Sequence, residues 1–179
     1  MESLNKLFFR RHSIRKYKEE AVAPEAVKQI LEAGLLAPSS KSARPWQFTV
    51  VEDREVLEAM SKCKPAGARP IAGAAFAVVV SADPAKSDVF IEDVSVAAAY
   101  MQLQAAALGI GSCWIQIRNR FGADDEPSEN MIHDLLDIPY TQSIVTVLTF
   151  GVPDEERREV DPSKLLWEKV HIGKWNAGE

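Results

Sequence analysis

The chain has 179 residues, 46% apolar and 26% charged, the composition of one folded globular domain and not of a disordered segment. At this length a chain buries about 70% of its unfolded surface, so neither a metal nor a disulfide is needed to hold it together. The net charge of −5 argues against a general nucleic-acid binder, yet residues 1–18 alone carry Lys6, Arg10, Arg11, Arg15, Lys16 and Lys18 against the single acid Glu2.

In chain order, Leu4, Leu7 and Phe8 share one face of a short first helix that Ser3 can cap. Pro24 opens a second helix with Val27, Ile30, Leu31 and Leu35 at helical spacing. It closes at Ala37-Pro38, because a residue before proline is pushed out of the helical region. Trp46–Val51 alternates as a strand, and Asp53 caps a short helix reaching Ser61. Lys64–Gly73, rich in Pro, Gly and Ala, reads as a loop, and Ala74–Ser81 as a buried strand. Asp88 is expected to cap a helix of about twenty residues, on the order of 30 Å long, with little polar face beyond Gln102 and Gln104. A helix apolar nearly all round is threaded through a core or buried against another chain, so a dimer interface is expected here. Gly109 ends it. Ile110–Ile117 reads as a strand, Ser128–Leu136 as a helix, and Ser143–Phe150 as a strand closed by Gly151-Val152-Pro153. Asp154–Asp161 is charged and expected to be exposed, whereas Leu165–Trp175 is too apolar for a free terminus and must pack on its own domain or a neighbour's.

Cys63 and Cys113 stand far apart, with no CxxC and no Cys/His cluster, which excludes a zinc-type motif and a disulfide framework. The N-terminus has no apolar core of signal-peptide length. The longest apolar stretch, Val89–Leu108, is broken by Glu92, Asp93, Gln102 and Gln104, which bars it from a bilayer. The expectation is a soluble cytoplasmic protein with no membrane partner. No GxGxxG follows a strand and no GxxxxGK[ST] is present, so the simplest dinucleotide and P-loop readings fall away.

Two segments can carry chemistry. Arg10-Arg11-His12-Ser13-Ile14-Arg15 joins guanidiniums to a hydroxyl and an imidazole. Arginine forks onto phosphate oxygens and serine adds a neutral donor, a set suited to a phosphate monoester. The plainer alternative is a solvated basic helix end. Leu36-Ala-Pro-Ser-Ser-Lys-Ser-Ala-Arg-Pro-Trp46 links a helix to a strand and offers hydrogen bonds to the edge of a planar polar ring, or is simply loop chemistry. Of the remaining histidines, His133 reads as a partly exposed helix residue and His171 as structural. Cys113 reads as buried and inert.

RRHSIRKY, then APSSKSARPWQF, then Ala106-Ala-Leu-Gly-Ile-Gly-Ser-Cys-Trp114, then Thr149-Phe-Gly-Val-Pro-Asp-Glu-Glu156 together resemble, in order, the FMN-dependent nitroreductase family. The resemblance implies an α+β fold of three α/β/α layers with a mainly antiparallel sheet. It implies an intertwined homodimer with two FMN sites at the interface, residues 1–179 forming one domain and 162–179 an extension on the partner subunit. By position, Arg11, His12, Ser13 and Arg15 would bind the FMN phosphate and ribityl chain. Pro38, Ser39, Ser40 and Ser42 would lie along the isoalloxazine from the other subunit, with Trp114, Ile115 and Gln116 beside its other face. Arg157, with Arg158 close behind, would reach the phosphate. Ser42 and Arg44 stand where the family commonly has Asn and Gln, and Val152 replaces an aromatic. The implied activity is hydride transfer from NADH or NADPH, through FMN, to a nitroaromatic, quinone or flavin acceptor by a ping-pong route, with no dedicated catalytic side chain. Lys41 and Arg44 are the cations expected to bias the ring's potential. The alternatives are a flavin store or sensor without turnover, and a dehalogenase-like or flavin-destroying member of the fold. A third takes residues 1–18 as an arm for anionic partners.

Overall fold

The computed structural model describes residues 4–123 and 125–175. Helix α1 (Leu4–Arg10) and helix α2 (Pro24–Leu35) precede strand β1 (Trp46–Val51). Helices α3 (Arg54–Met60) and α4 (Pro70–Gly73) lead into β2 (Phe76–Ala82), and the long α5 (Phe90–Ala107) into β3 (Gly111–Gln116). Helix α6 (Ser128–Leu136) and strand β4 (Ser143–Gly151) complete the domain. The four strands pair antiparallel in the order β1-β2-β4-β3, leaving β1 and β3 as edges.

Strand β2 is buried along its whole length because both faces of the sheet are covered. On one side Phe76, Val78, Val80, Leu148 and Phe150 pack against Ile30 of α2 and Val94, Ala97, Ala98, Met101 and Ala105 of α5. On the other, Ala77, Val79, Ile115 and Val147 meet Leu57 and Met60 of α3, Ile71 of α4 and Ile132 of α6. The result is the expected α/β/α layering. Opposite Val80 and Ser81 the register shifts, so that Val145 is one extra residue on β4.

Several local expectations change. The Ser3 cap lies outside the described residues. Asp53 caps α3 as expected, its Oδ1 accepting from the main-chain N of Glu55 and Val56 at 2.9 and 3.0 Å. Asp88, by contrast, does not cap α5: the N-cap is Val89, whose N–H reaches Ser87 Oγ at 3.3 Å. Part of the Lys64–Gly73 loop is helical, because Pro70 opens the turn of α4. His133 is buried, not partly exposed; its Nδ1 lies 2.9 Å from the Ile138 carbonyl and its ring stacks on Tyr140. Helix α5 is buried along one face only, with Val96, Tyr100 and Leu108 exposed on the other. The Leu165–Trp175 tail packs little on its own domain, with Trp167 69%, Ile172 92% and Trp175 80% exposed. Among the described residues, no helix is long and apolar enough to cross a membrane.

Candidate functional site

The basic N-terminal motif is bound to the sheet by its backbone. Ile14 N donates to the Ser112 carbonyl at 2.9 Å, beside a parallel bridge between Ser13 and Ser112 at the start of edge strand β3. Farther on, Asp154 N donates to Lys16 O and Lys18 N to Val152 O, tying the segment to the turn after β4. Two glycines allow this approach. A Cβ on Gly111 would lie 2.9 Å from Ile14 Cβ, and one on Gly151 would lie 2.9 Å from the Tyr17 ring. Tyr17 then locks the crossing: its hydroxyl donates to Ile14 O at 2.6 Å and shares a hydrogen bond with Thr149 Oγ1 at 2.8 Å. Burial pushes the Tyr17 phenol well above its ordinary range, so it stays neutral and remains a donor.

Along the outer edge of β3 opens a cavity of about 630 Å³ lined by Cys113, Trp114, Ile115, Arg15, Lys16, Gly67, Arg69 and Pro70. Among the described residues lining it there are three cations and no acid, the electrostatics of an anion site with an apolar wall. Burial raises the pKa of the Cys113 thiol, opposed by Arg15 and by a hydrogen bond with Ser13, so this cysteine is a neutral wall residue and not a nucleophile.

Next to Ile14 and Ser112, His12 and Arg157 line a second, smaller pocket of about 150 Å³ with Arg10 and Glu155. Arg157 Nη2 donates to Glu155 Oε2 at 2.6 Å, and Arg10 Nη2 to the Ala106 carbonyl at the end of α5 at 2.8 Å. The Nε2 of His12 is buried there with no hydrogen-bond partner among the described residues.

Of the residues nominated from sequence, Arg15, Trp114 and Ile115 line the large cavity, and Ser13 reaches its Cys113 wall. Arg11 is half-buried at the end of α1, its N–H bonded to Leu7 O at 2.9 Å. The Gln116 amide is already engaged, accepting from Trp114 Nε1 at 2.9 Å and donating to Arg118 O at 2.8 Å. The Pro38–Ser42 loop sits elsewhere. It feeds β1 at the other edge of the sheet, and Ser40 N donates to Asp93 Oδ1 in the first turn of α5 at 2.7 Å. Asp93 and Ala106 stand on the order of 20 Å apart along α5 at 1.5 Å per residue, so one chain does not bring the two motifs together. In that loop Lys41, Ser42 and Arg44 all adopt left-handed φ values of 51°, 55° and 46°, a concentration of backbone strain of the kind found at binding loops.

Lys16, Gly67, Arg69 and Pro70 are cavity residues that the sequence reading did not nominate. The available signal was Arg69-Pro70, since proline at a first helical position marks a helix start and turns the residue before it into a fixed corner. Nearby, Lys64 Nζ donates to the Gln116 carbonyl at 2.7 Å, and burial lowers its amine pKa. Among the described residues there is no His/Cys/Asp/Glu cluster suited to a metal.

Comparison with known proteins identifies the family of the fold. The profile of the Nitroreductase family matches residues 9–69 and 63–152. An Archaeoglobus fulgidus protein named as an NADH dehydrogenase/NAD(P)H nitroreductase is 35% identical over 98% of this chain and 100% of its own. The solved structure of an FMN-dependent nitroreductase from Clostridium difficile R20291 superposes with a TM-score of 0.94 at 43% identity, covering 96% of this chain and 99% of that one. A Desulfovibrio desulfuricans nitroreductase solved in complex with FMN gives 0.73 at 25% identity, over 96% and 99% of the two chains. With the same fold, a relative 35% identical over nearly its whole length and a profile match spanning most of it, the chain belongs to the nitroreductase family.

Proposed function

We propose that the β3-edge cavity holds FMN and that the protein is an NAD(P)H-dependent FMN oxidoreductase. The observation that carries this reading is the acid-free cavity of about 630 Å³ with Arg15, Lys16 and Arg69 around an apolar strand edge. It has the size and polarity of a small-cofactor site, and its cations suit a phosphate monoester on a flat heterocycle. Family relatives are named for FMN and for NAD(P)H.

Bound FMN would supply the hydride chemistry, between NADH or NADPH and a nitroaromatic, quinone or flavin acceptor taking turns at one site. The chain's own part is to bind and orient. Arg11, Ser13 and Arg15 would hold the phosphate and ribityl chain, Arg69 would add a cation in the same cavity, and His12 and Arg157 would support the motif from the smaller pocket. Trp114 and Ile115 form the wall against the ring, and Gln116 offers its strand backbone because its side chain is engaged. No side chain is assigned a proton-transfer role.

The Pro38, Ser39, Ser40 and Ser42 loop would reach the ring from a second copy of the chain, which is why the two motifs lie at opposite ends of α5. Apolar surface supports such a homodimer: Leu35, Leu36, Val96, Tyr100 and Leu108 are exposed on α2 and α5 or just beyond them, and Leu165, Leu166, Trp167 and Trp175 are exposed in the tail. On this reading residues 162–179 wrap the partner within a protein of one domain per chain.

The test is spectroscopic and kinetic. Purified protein should carry or take up FMN, release it on denaturation, and oxidise NADH or NADPH with a quinone or nitroaromatic, giving parallel double-reciprocal lines. Protein that stays colourless with added FMN overturns the cofactor assignment. FMN binding without turnover on any acceptor class overturns the enzymatic one.

A further inference from the structure

Glu155 joins the two motifs that lie farthest apart in the chain. Its Oε1 accepts from the main-chain N of Arg15 at 2.5 Å and of Lys16 at 3.2 Å, 140 and 139 residues away. Its Oε2 accepts from Arg157 Nη2 at 2.6 Å. The carboxylate side chain is only 16% exposed, and the Arg15 N–H, followed by Arg157, keeps its carboxyl below the usual Glu range, so it is ionised at neutral pH. The two residues it grips by the backbone are two of the three cations of the large cavity. Neighbouring bonds hold the segment at other points, Ile14 N to Ser112 O and Asp154 N to Lys16 O. Glu155 supplies the acceptor for the N–H groups of Arg15 and Lys16.

From this geometry we infer that Glu155 is a positioning residue for cofactor recognition: it fixes the Arg15–Lys16 main chain so that both cations face the phosphate end of the cavity, and it holds Arg157 in the smaller pocket. This rests on the FMN reading above. A carboxylate would repel a phosphate if it faced it, but Glu155 lines the smaller pocket and not the large cavity, and its oxygens accept from the Arg15 and Lys16 N–H groups and from Arg157. It therefore orders the anion site without occupying it. The consequence is specific to the phosphate. Loosening Glu155 should weaken FMN, whose phosphate needs Arg15 and Lys16 in place, far more than riboflavin, which has the same ring and ribityl chain and no phosphate.

The experiment measures dissociation constants for FMN and riboflavin, by quenching of flavin fluorescence, in the full-length wild type, Glu155→Ala, Glu155→Gln, Arg15→Ala and the Glu155→Ala/Arg15→Ala double variant. Glu155→Ala should raise the FMN constant at least tenfold and the riboflavin constant less than twofold. Glu155→Gln keeps an amide oxygen for the two N–H groups and should restore FMN binding to within threefold of wild type. In the Arg15→Ala background the added loss from Glu155→Ala should shrink to less than threefold, because Glu155 acts largely through Arg15. Equal losses for FMN and riboflavin, or a full tenfold loss persisting without Arg15, overturn the proposal. If Glu155→Ala yields no folded protein, Glu155→Asp, which retracts the carboxylate by one methylene, takes its place. An unchanged FMN constant there overturns the proposal too. A wild type that binds riboflavin as tightly as FMN refutes the phosphate reading of the cavity itself, whatever the Glu155 variants do.

Discussion

Gly111→Ala tests whether the basic motif is held against β3 by backbone approach. The new methyl would stand 2.9 Å from both Cβ and Cγ2 of Ile14, whose side chain is buried and whose N–H bonds to Ser112 O at 2.9 Å. Neither atom can swing away as a flexible chain end would. To restore ordinary carbon contact near 3.5–4.0 Å, residues 13–15 must lift by roughly half an ångström or more, which stretches the Ile14 bond toward the limit of about 3.2 Å for N–H···O. Overpacking costs about 1–3 kcal/mol and a weakened hydrogen bond about 0.5–1.5 kcal/mol, so unfolding free energy should fall by roughly 2–4 kcal/mol. At about 2–4 °C per kcal/mol for a chain of this size, Tm should drop by about 5–15 °C. FMN affinity should fall with it, because Ser13 and Arg15 move with Ile14. Differential scanning calorimetry of the cofactor-free protein and FMN titration read the two effects. Gly73→Ala is the control: a Cβ there meets nothing within 4 Å and the residue has no left-handed φ, so Tm should stay level or rise slightly. A Gly111→Ala protein matching wild type in both Tm and FMN affinity would refute the close-approach argument.

Other consequences can be checked directly. Ser42 sits at φ 55°, where asparagine is better tolerated than serine; Ser42→Asn should raise the apo Tm by about 1–2 °C, a gain of roughly 0.5 kcal/mol. Glu155 has its carboxyl lowered by the Arg15 N–H and by Arg157, so the unfolded chain protonates first as pH falls. Its stabilisation is therefore complete above the ordinary Glu pKa of about 4.3 and is lost as pH drops below it. Acid titration of stability should show a shallower loss in that window for Glu155→Gln than for wild type. Deleting residues 162–179 removes the exposed Leu166, Trp167 and Trp175. Sedimentation velocity should then show a shift from dimer to monomer and weakened FMN retention, and a truncated chain that remains a dimer would refute the wrapping role.

Much of the fold was legible because its signals are local. The i, i+3, i+4 pattern of Val27, Ile30 and Leu31, with Pro24 before it, specifies α2 from short-range packing alone. Asp53 carries its own capping chemistry two and three residues ahead. The apolar run of β2 announced a strand covered on both faces. The signals that failed were those competing with a distant partner. Asp88 has cap chemistry as good as Asp53's, but Ser87 is drawn to Asp93 at 2.8 Å and the helix starts one residue later. His133 has the charge pattern of a surface residue, yet Ile138 O and the Tyr140 ring enclose it.

The amino-acid sequence by itself determined the four strands, the helices other than α4, and the family, because each is written in contiguous residues. Only the tertiary structure decided how those pieces meet. It set Arg15 and Lys16 in the cavity with Arg69, put His12 and Arg157 in a separate smaller pocket, and placed Ser40 at the far end of α5. The physical reason is that these outcomes depend on backbone approach at Gly111 and Gly151 and on one carboxylate, Glu155, reaching across 140 residues of chain, and no spacing within the sequence encodes either.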